Sequence, residues 1–124
     1  RSVLSQDYPD IEYIVIDGAS TDGTQKIVQS FRDRIAKFIS EPDRGIYDAM
    51  NKGIALATGE IVGILNADDF YADRTIISNV VEQFQHNSVD SIFGDLIYVR
   101  SDNLEKVVRY YSSAKFHPRQ FAYG

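Results

Sequence analysis

Two adjacent carboxylates, Asp68 and Asp69, follow the apolar run 60–65, and anions held that close are costly unless a proton or a cation lies between them. Hard divalent cations such as Mg2+ or Mn2+ take carboxylate oxygens together with phosphate oxygens, so the pair suits a metal and diphosphate site. Equally open is a plainer reading in which Asp69 caps the next helix and Asp68 is solvated, because Asp is a natural turn and cap residue. A second acidic stretch, Asp17-Gly18-Ala19-Ser20-Thr21-Asp22-Gly23-Thr24, is made of small residues whose backbone can approach a planar base or a ribose, with Asp17 as acceptor. Turn and helix-cap chemistry alone also accounts for it. The third, Glu41-Pro42-Asp43-Arg44-Gly45, sets two acids and a cation on a tight loop ahead of Tyr47, Asp48 and Asn51. Arg44 can hold a phosphate or pair with Asp43, and Asn51 falls one turn after Tyr47 on nearly the same helix face. In isolation a surface turn explains this loop as well.

Several familiar sites are absent. The Asp17 stretch lacks the three glycines of a dinucleotide fingerprint, and no Gly-Lys-Ser/Thr element occurs in the chain. Counted from Asp17 as an EF-hand, it has Ala19 at the third position, Asp22 where the glycine belongs and Val28 where the bidentate Glu belongs. His86 closes a helix and faces water, and His117, before Pro118, is a loop residue with only a minority claim on any site.

The elements that must position these loops alternate. Residues 11–16 read as a short buried strand, and Ser20 and Thr21 supply a hydroxyl cap for a helix with Ile27, Val28, Phe31 and Ile35 on its apolar side. Residues 36–40 read as a second strand, 47–57 as a helix with Tyr47, Met50, Ile54 and Ala57 on one face, and 60–65 as a third strand. A helix over 73–85 follows, then two strands over 91–100 and 105–111 with a turn at Ser101-Asp102-Asn103. Strands alternating with helices argue for an α/β fold, a mostly parallel sheet with helices on both faces. Ligands of such sheets bind at the carboxyl ends of the strands, where all three acidic loops fall.

Composition narrows the rest. At 124 residues, 44% hydrophobic and 25% charged, the chain reads as a single domain, 1–124, able to build a core. Its lack of cysteine excludes disulfides, thiolate metal sites and cysteine nucleophiles. The net charge of −5 argues against nucleic acid held by a broad basic surface. No apolar run approaches the roughly 18 residues of a membrane span, and the first residue is Arg1, not Met, so the chain reads as a piece of something longer.

Taken in order, the segments 12–24, 40–53 and 57–69 resemble the family 2 glycosyltransferases of the GT-A fold, which move a sugar from a nucleotide donor to an acceptor. The resemblance covers most of residues 11–71. It implies a Rossmann-like nucleotide-sugar-binding domain in which the loop of Asp17, Gly18 and Ser20 faces the nucleobase and ribose. It also implies that Asp43, Arg44 and Asn51 line the donor site, and that Asp68 with Asp69 is the Asp-x-Asp-type element for Mg2+ or Mn2+. Two positions depart from the commoner pattern: Gly18 stands where a second acid is usual, and Asn66 where many relatives place the first acid of the metal element. By the same resemblance an opening strand lies before Arg1 and the catalytic base beyond Gly124. The sheet is then incomplete, with a neighbouring copy or a partly open structure expected to compensate.

The activity so implied is metal-dependent, inverting, hexosyl-type transfer from a UDP-linked sugar to a polysaccharide or lipid-linked acceptor. Its setting is bacterial and cytoplasmic, or peripheral at the inner face of the membrane. A chain holding the donor half without the base is expected to bind nucleotide poorly and to transfer slowly or not at all. Two other classes compete. A receiver-like phosphoacceptor domain also gathers acids around Mg2+, but it needs a Lys at the end of a late strand and Lys106 sits near the start of its own. A non-catalytic nucleotide-binding or assembly module would keep the fold alone.

Overall fold

The computed structural model describes residues 1–115, and the chain divides into two compact units, Arg1–Glu82 and the residues from Gln83 onward. In the first unit β1 (Ile14–Asp17) pairs in parallel with β2 (Lys37–Ser40), from Ile14 opposite Lys37 to Asp17 opposite Ser40. β-branched Ile14, Val15 and Ile16 fit this pleated, half-buried surface. Strand β1 begins three residues later and ends one residue later than the sequence suggests, so Asp17 ends the strand and is not the first loop residue.

Parallel strands need a crossover, supplied here by α1 (Thr24–Gln29) and a 3₁₀ turn at Arg32–Arg34. The cap of α1 differs from expectation. No side chain caps the helix at Gly23; the Asp22 carboxylate instead accepts the N–H and hydroxyl of Thr24 at 3.0 and 2.7 Å. The helix also stops well short of Ile35. Ser30 Oγ donates to Ile27 O at 2.7 Å, a local bond that competes with helix propagation, and Ile35 is extended as it leads into β2.

Helix α2 (Ile46–Leu56) lies against β1, where a Cβ on Gly53 would sit 3.6 Å from Ile16 Cγ1. Residues 60–65, expected as the third strand, form none. Their apolar, β-branched sequence favours extension, but a strand is defined by a hydrogen-bonded neighbour and none of the described residues provides one. Ile61, Val62 and Ile64 are accordingly 39, 49 and 52% exposed. Helix α3 (Ile76–His86) begins later than expected because Asp73 Oδ1 captures the N–H and Oγ1 of Thr75, both at 2.7 Å, in an Asx turn outside the helix.

In the second unit β3 (Leu96–Arg100) and β4 (Asn103–Tyr111) form an antiparallel hairpin with an irregular register around Val99. Residues 91–95 stay outside β3, and Asp95 accepts from the hydroxyls of Tyr110 and Ser113. The link through Ser101 and Asp102 is short enough to permit only antiparallel pairing, and Arg100 Nε reaches Asp102 Oδ1 at 2.7 Å across it. The protein is therefore α/β with one parallel pair and one antiparallel hairpin. A mostly parallel sheet with helices on both faces is not seen among the described residues. No helix among them is long and apolar enough to cross a membrane.

Candidate donor site

The carboxyl end of β1 carries the best-defined polar cluster. Asp17 is buried, and its Oδ2 accepts the Ser20 N–H at 3.1 Å and the Ser40 hydroxyl at 2.6 Å. Hydrogen bonding from Ser20 and then Ser40 holds this carboxyl below the usual range, against the opposing effect of burial. The loop reaches this arrangement through Ala19, whose φ of 64° is left-handed and strained for a residue with a Cβ. Glu41 N–H donates to Asp17 O at 3.0 Å, which joins the loop after β2 to the end of β1.

That second loop is tied down from α2. Lys52 Nζ lies 2.9 Å from Glu41 Oε1 and 3.5 Å from Asp48 Oδ2, and donates to Pro42 O at 3.1 Å; Asp48 Oδ2 accepts the Arg44 N–H at 3.1 Å. Glu41 foremost raises the Lys52 pKa, so the ammonium stays charged. Asp43 Oδ1 accepts the Gly45 N–H at 2.8 Å, and a Cβ on Gly18 would stand 2.6 Å from Asp43 Oδ2. Two loops separated by more than twenty residues thus meet at Gly18. Where the sequence shows a glycine in place of a second acid, the carboxylate of Asp43 fills the space. The side chains of Arg44 and Asn51, both exposed, make no hydrogen bond or ion pair with a described residue.

Asp68 and Asp69 occupy a turn of their own. Asp69 N–H donates to Asn66 O at 3.1 Å and Asn66 Nδ2 to Asp69 Oδ2 at 3.1 Å. Asp69 therefore closes a turn and does not cap α3. Asp68 is exposed and makes no hydrogen bond or ion pair with a described residue. No hydrogen bond or ion pair joins this turn to Asp17 or Asp43, and among the described residues no three His, Asp or Glu side chains are grouped to hold a metal ion. The structure thus brings together Asp17, Gly18, Ser20 and Asp43, with Arg44 next in the same loop and Asn51 on α2, and shows no direct hydrogen bond or ion pair between these residues and Asp68 or Asp69. His86 ends α3 on an exposed surface, and His117 lies outside the described residues.

Sequence reading missed the network at the opposite end of the strands. Glu12 receives Lys37 Nζ at 2.8 Å on one oxygen, and the N–H and hydroxyl of Thr58 at 2.8 and 2.9 Å on the other. Lys37 also donates to Leu56 O at 2.6 Å, closing the C-terminal end of α2. The Lys37 bond, then those from Thr58, bring the Glu12 pKa from 4.5 down to about 2. A charged residue inside the run Ile11-Glu12-Tyr13-Ile14 was the available signal. The Asp48 to Lys52 spacing was another, being the four-residue interval of facing helix side chains. A concavity of about 280 Å³ lined by Val28, Gln29, Arg32, Ile35, Ala36 and Phe38 contains none of the site residues inferred from sequence.

Acidic, glycine-bearing loops here follow the carboxyl ends of a parallel strand pair, the place where ligands of α/β sheets bind. Residues 1–123 match the model of glycosyl transferase family 2, and the chain belongs to that family. It is 35% identical over 106 residues to a PGL/p-HBAD biosynthesis glycosyltransferase of Mycobacterium bovis, covering 82% of this chain and 41% of the relative. It is 34% identical over 99 residues to an uncharacterized glycosyltransferase of Nostoc sp., covering 77 and 30% of the two chains. A third relative, an uncharacterized glycosyltransferase of Mycobacterium tuberculosis, is 40% identical over 83 residues, 66% of this chain and 32% of its own. The chain thus spans less than half the length of these relatives. No solved structure matches it significantly. The family sets aside the phosphoacceptor alternative.

Proposed function

We propose that this chain is the donor-binding part of a glycosyltransferase, receiving a nucleotide sugar, UDP-linked, for inverting hexosyl transfer to a polysaccharide or lipid-linked acceptor. The observation that carries the reading is the convergence of the Asp17 and Asp43 loops on Gly18 at the carboxyl ends of the parallel strands, in a family 2 chain. In this reading the strained Asp17 to Ser20 turn and the braced loop 41–45 hold the nucleoside. Arg44, whose guanidinium pairs with no described residue, takes phosphate charge, and Asn51 orients the sugar side. Preorganised groups of this kind fix the donor for in-line attack and lower the cost of charge developing on the leaving diphosphate.

The donor set fits a divalent cation in one respect. Asp68 offers an unengaged carboxylate beside Asp69, and Mg2+ or Mn2+ commonly takes one or two carboxylates and completes its shell with diphosphate oxygens and water. Held there, the ion would offset negative charge on the departing diphosphate. Calorimetry with UDP and Mn2+ tests the reading. Metal-dependent binding that Asp68→Ala removes supports it, whereas metal dependence unchanged by Asp68→Ala overturns the assignment of Asp68. A cytoplasmic site, peripheral at the membrane's inner face, would suit a lipid-linked acceptor.

A further inference from the structure

The site a Gly18 Cβ would occupy lies 2.6 Å from Asp43 Oδ2 and 3.4 Å from its Cγ. Any side chain at position 18 must displace that carboxylate. The carboxylate is not there by default: its Oδ1 is anchored on the Gly45 N–H, and Lys52 braces its loop through Glu41, Pro42 and Asp48. Asp17 is in a different condition. It is buried, and its Oδ2 is engaged within the fold by Ser20 and Ser40, whereas Asp43 Oδ2 accepts no hydrogen bond from a described residue.

We infer that Asp43, laid over the Gly18 backbone, is the carboxylate presented to the nucleoside of the donor, and that Gly18 and Asp17 are positioning residues. This rests on the donor-site reading above. The absent side chain at 18 clears the path for Asp43, and Asp17 folds the loop so that its backbone lies beneath. An ionised carboxylate is acceptor-only, so its ligand must be a donor: a ribose hydroxyl or a base N–H. The pairing also explains why one acid at the end of β1 suffices here, since an acid at 18 would place a second anion against Asp43.

The test is an NMR titration of the chain with UDP and Mg2+, using the dispersion of the amide spectrum to verify folding of each variant. Asp43→Ala is expected to weaken UDP binding at least tenfold, the scale of one hydrogen bond to a charged group. Gly18→Ala, at a position without left-handed φ, is expected to weaken it comparably, yet to add less than twofold in the Asp43→Ala background. Asp17→Ala is expected to weaken binding, with Asp17→Asn restoring it to within threefold, because a loop-shaping role needs an acceptor and not a charge. UDP lacking the 2′ or 3′ hydroxyl, or methylated at N3, identifies the donor group: the analogue that binds weakly to wild type should show no further loss on Asp43→Ala. Fully additive losses from Gly18→Ala and Asp43→Ala, or wild-type affinity in Asp43→Ala, overturn the inference while leaving the donor site standing. Failure of wild type to bind any nucleoside diphosphate defeats the donor-site reading itself.

Discussion

Replacing Gly45 by Ala isolates backbone conformation from packing. Gly45 has φ 111° and ψ 177°, a region essentially reserved for glycine, and no atom lies within 4 Å of the Cβ it lacks. The substitution therefore meets no steric neighbour and its whole cost is the dihedral strain, about 1–3 kcal/mol. At roughly 4 °C per kcal/mol for a chain of this size, the midpoint of thermal unfolding should fall by about 4–12 °C. Gly53 supplies the contrast. It sits inside α2, its Cβ site meets Ile16 Cγ1 at an ordinary 3.6 Å, and Gly53→Ala should stabilise by up to about 1 kcal/mol through helix propensity. Urea and thermal denaturation of the two variants should move in opposite directions. A neutral Gly45→Ala, or a Gly53→Ala as damaging as it, would refute the assignment of strain to position 45. Gly45→Ala should also loosen the Asp43 anchor, since the Gly45 N–H holds Oδ1.

Two other outcomes follow from the same geometry. Glu12 has its pKa depressed from 4.5 to about 2, so the unfolded chain binds the proton first as pH falls. Its contribution is complete above pH 4.5 and lost as pH falls toward 2; urea midpoints in that window should flatten in Glu12→Gln, and an unchanged slope would exclude the network as the source. Ala19→Gly relieves a left-handed residue at about 1–2 kcal/mol, offset by about 0.4–1 kcal/mol of unfolded-state entropy. A net gain between about 0 and 1.6 kcal/mol is expected from that difference, measured by chemical denaturation, and a loss of stability would contradict it.

The strands and helices around Asp17 and Asp43 were legible because short-range chemistry decides them. The β-branched Ile14, Val15 and Ile16 run, the Gly45 start of α2 and the order of acidic loops all appear as local pattern. What stayed hidden depends on partners distant in sequence. Residues 60–65 have the composition of a strand, yet composition cannot supply the neighbour that makes a ladder. Helix α1 ends at Gln29 despite apolar spacing out to Ile35 because the Ser30 hydroxyl takes Ile27 O, a choice that periodicity does not register. In the site, Gly18 read as an unexplained departure from a two-acid pattern. Its reason is a contact with Asp43, twenty-five positions away, visible only once β1 and β2 are paired.

Polar residues along β1 divide according to whether the fold satisfies them. At one end Glu12, Lys37 and Thr58 are engaged with one another and with the C-terminal end of α2. At the other, Asp17 is satisfied within the loop while Asp43 Oδ2, Arg44, Asn51 and, on its separate turn, Asp68 are not. On the donor-site proposal, acceptors and a cation with no partner among the described residues suit a nucleotide sugar: its hydroxyls and N–H groups for the carboxylate, its phosphates for the guanidinium. Both carboxyl groups are held below the usual range by these bonds, so acid strong enough to protonate Glu12 breaks its links to Lys37 and Thr58, and protonation of Asp17 breaks its links to Ser20 and Ser40.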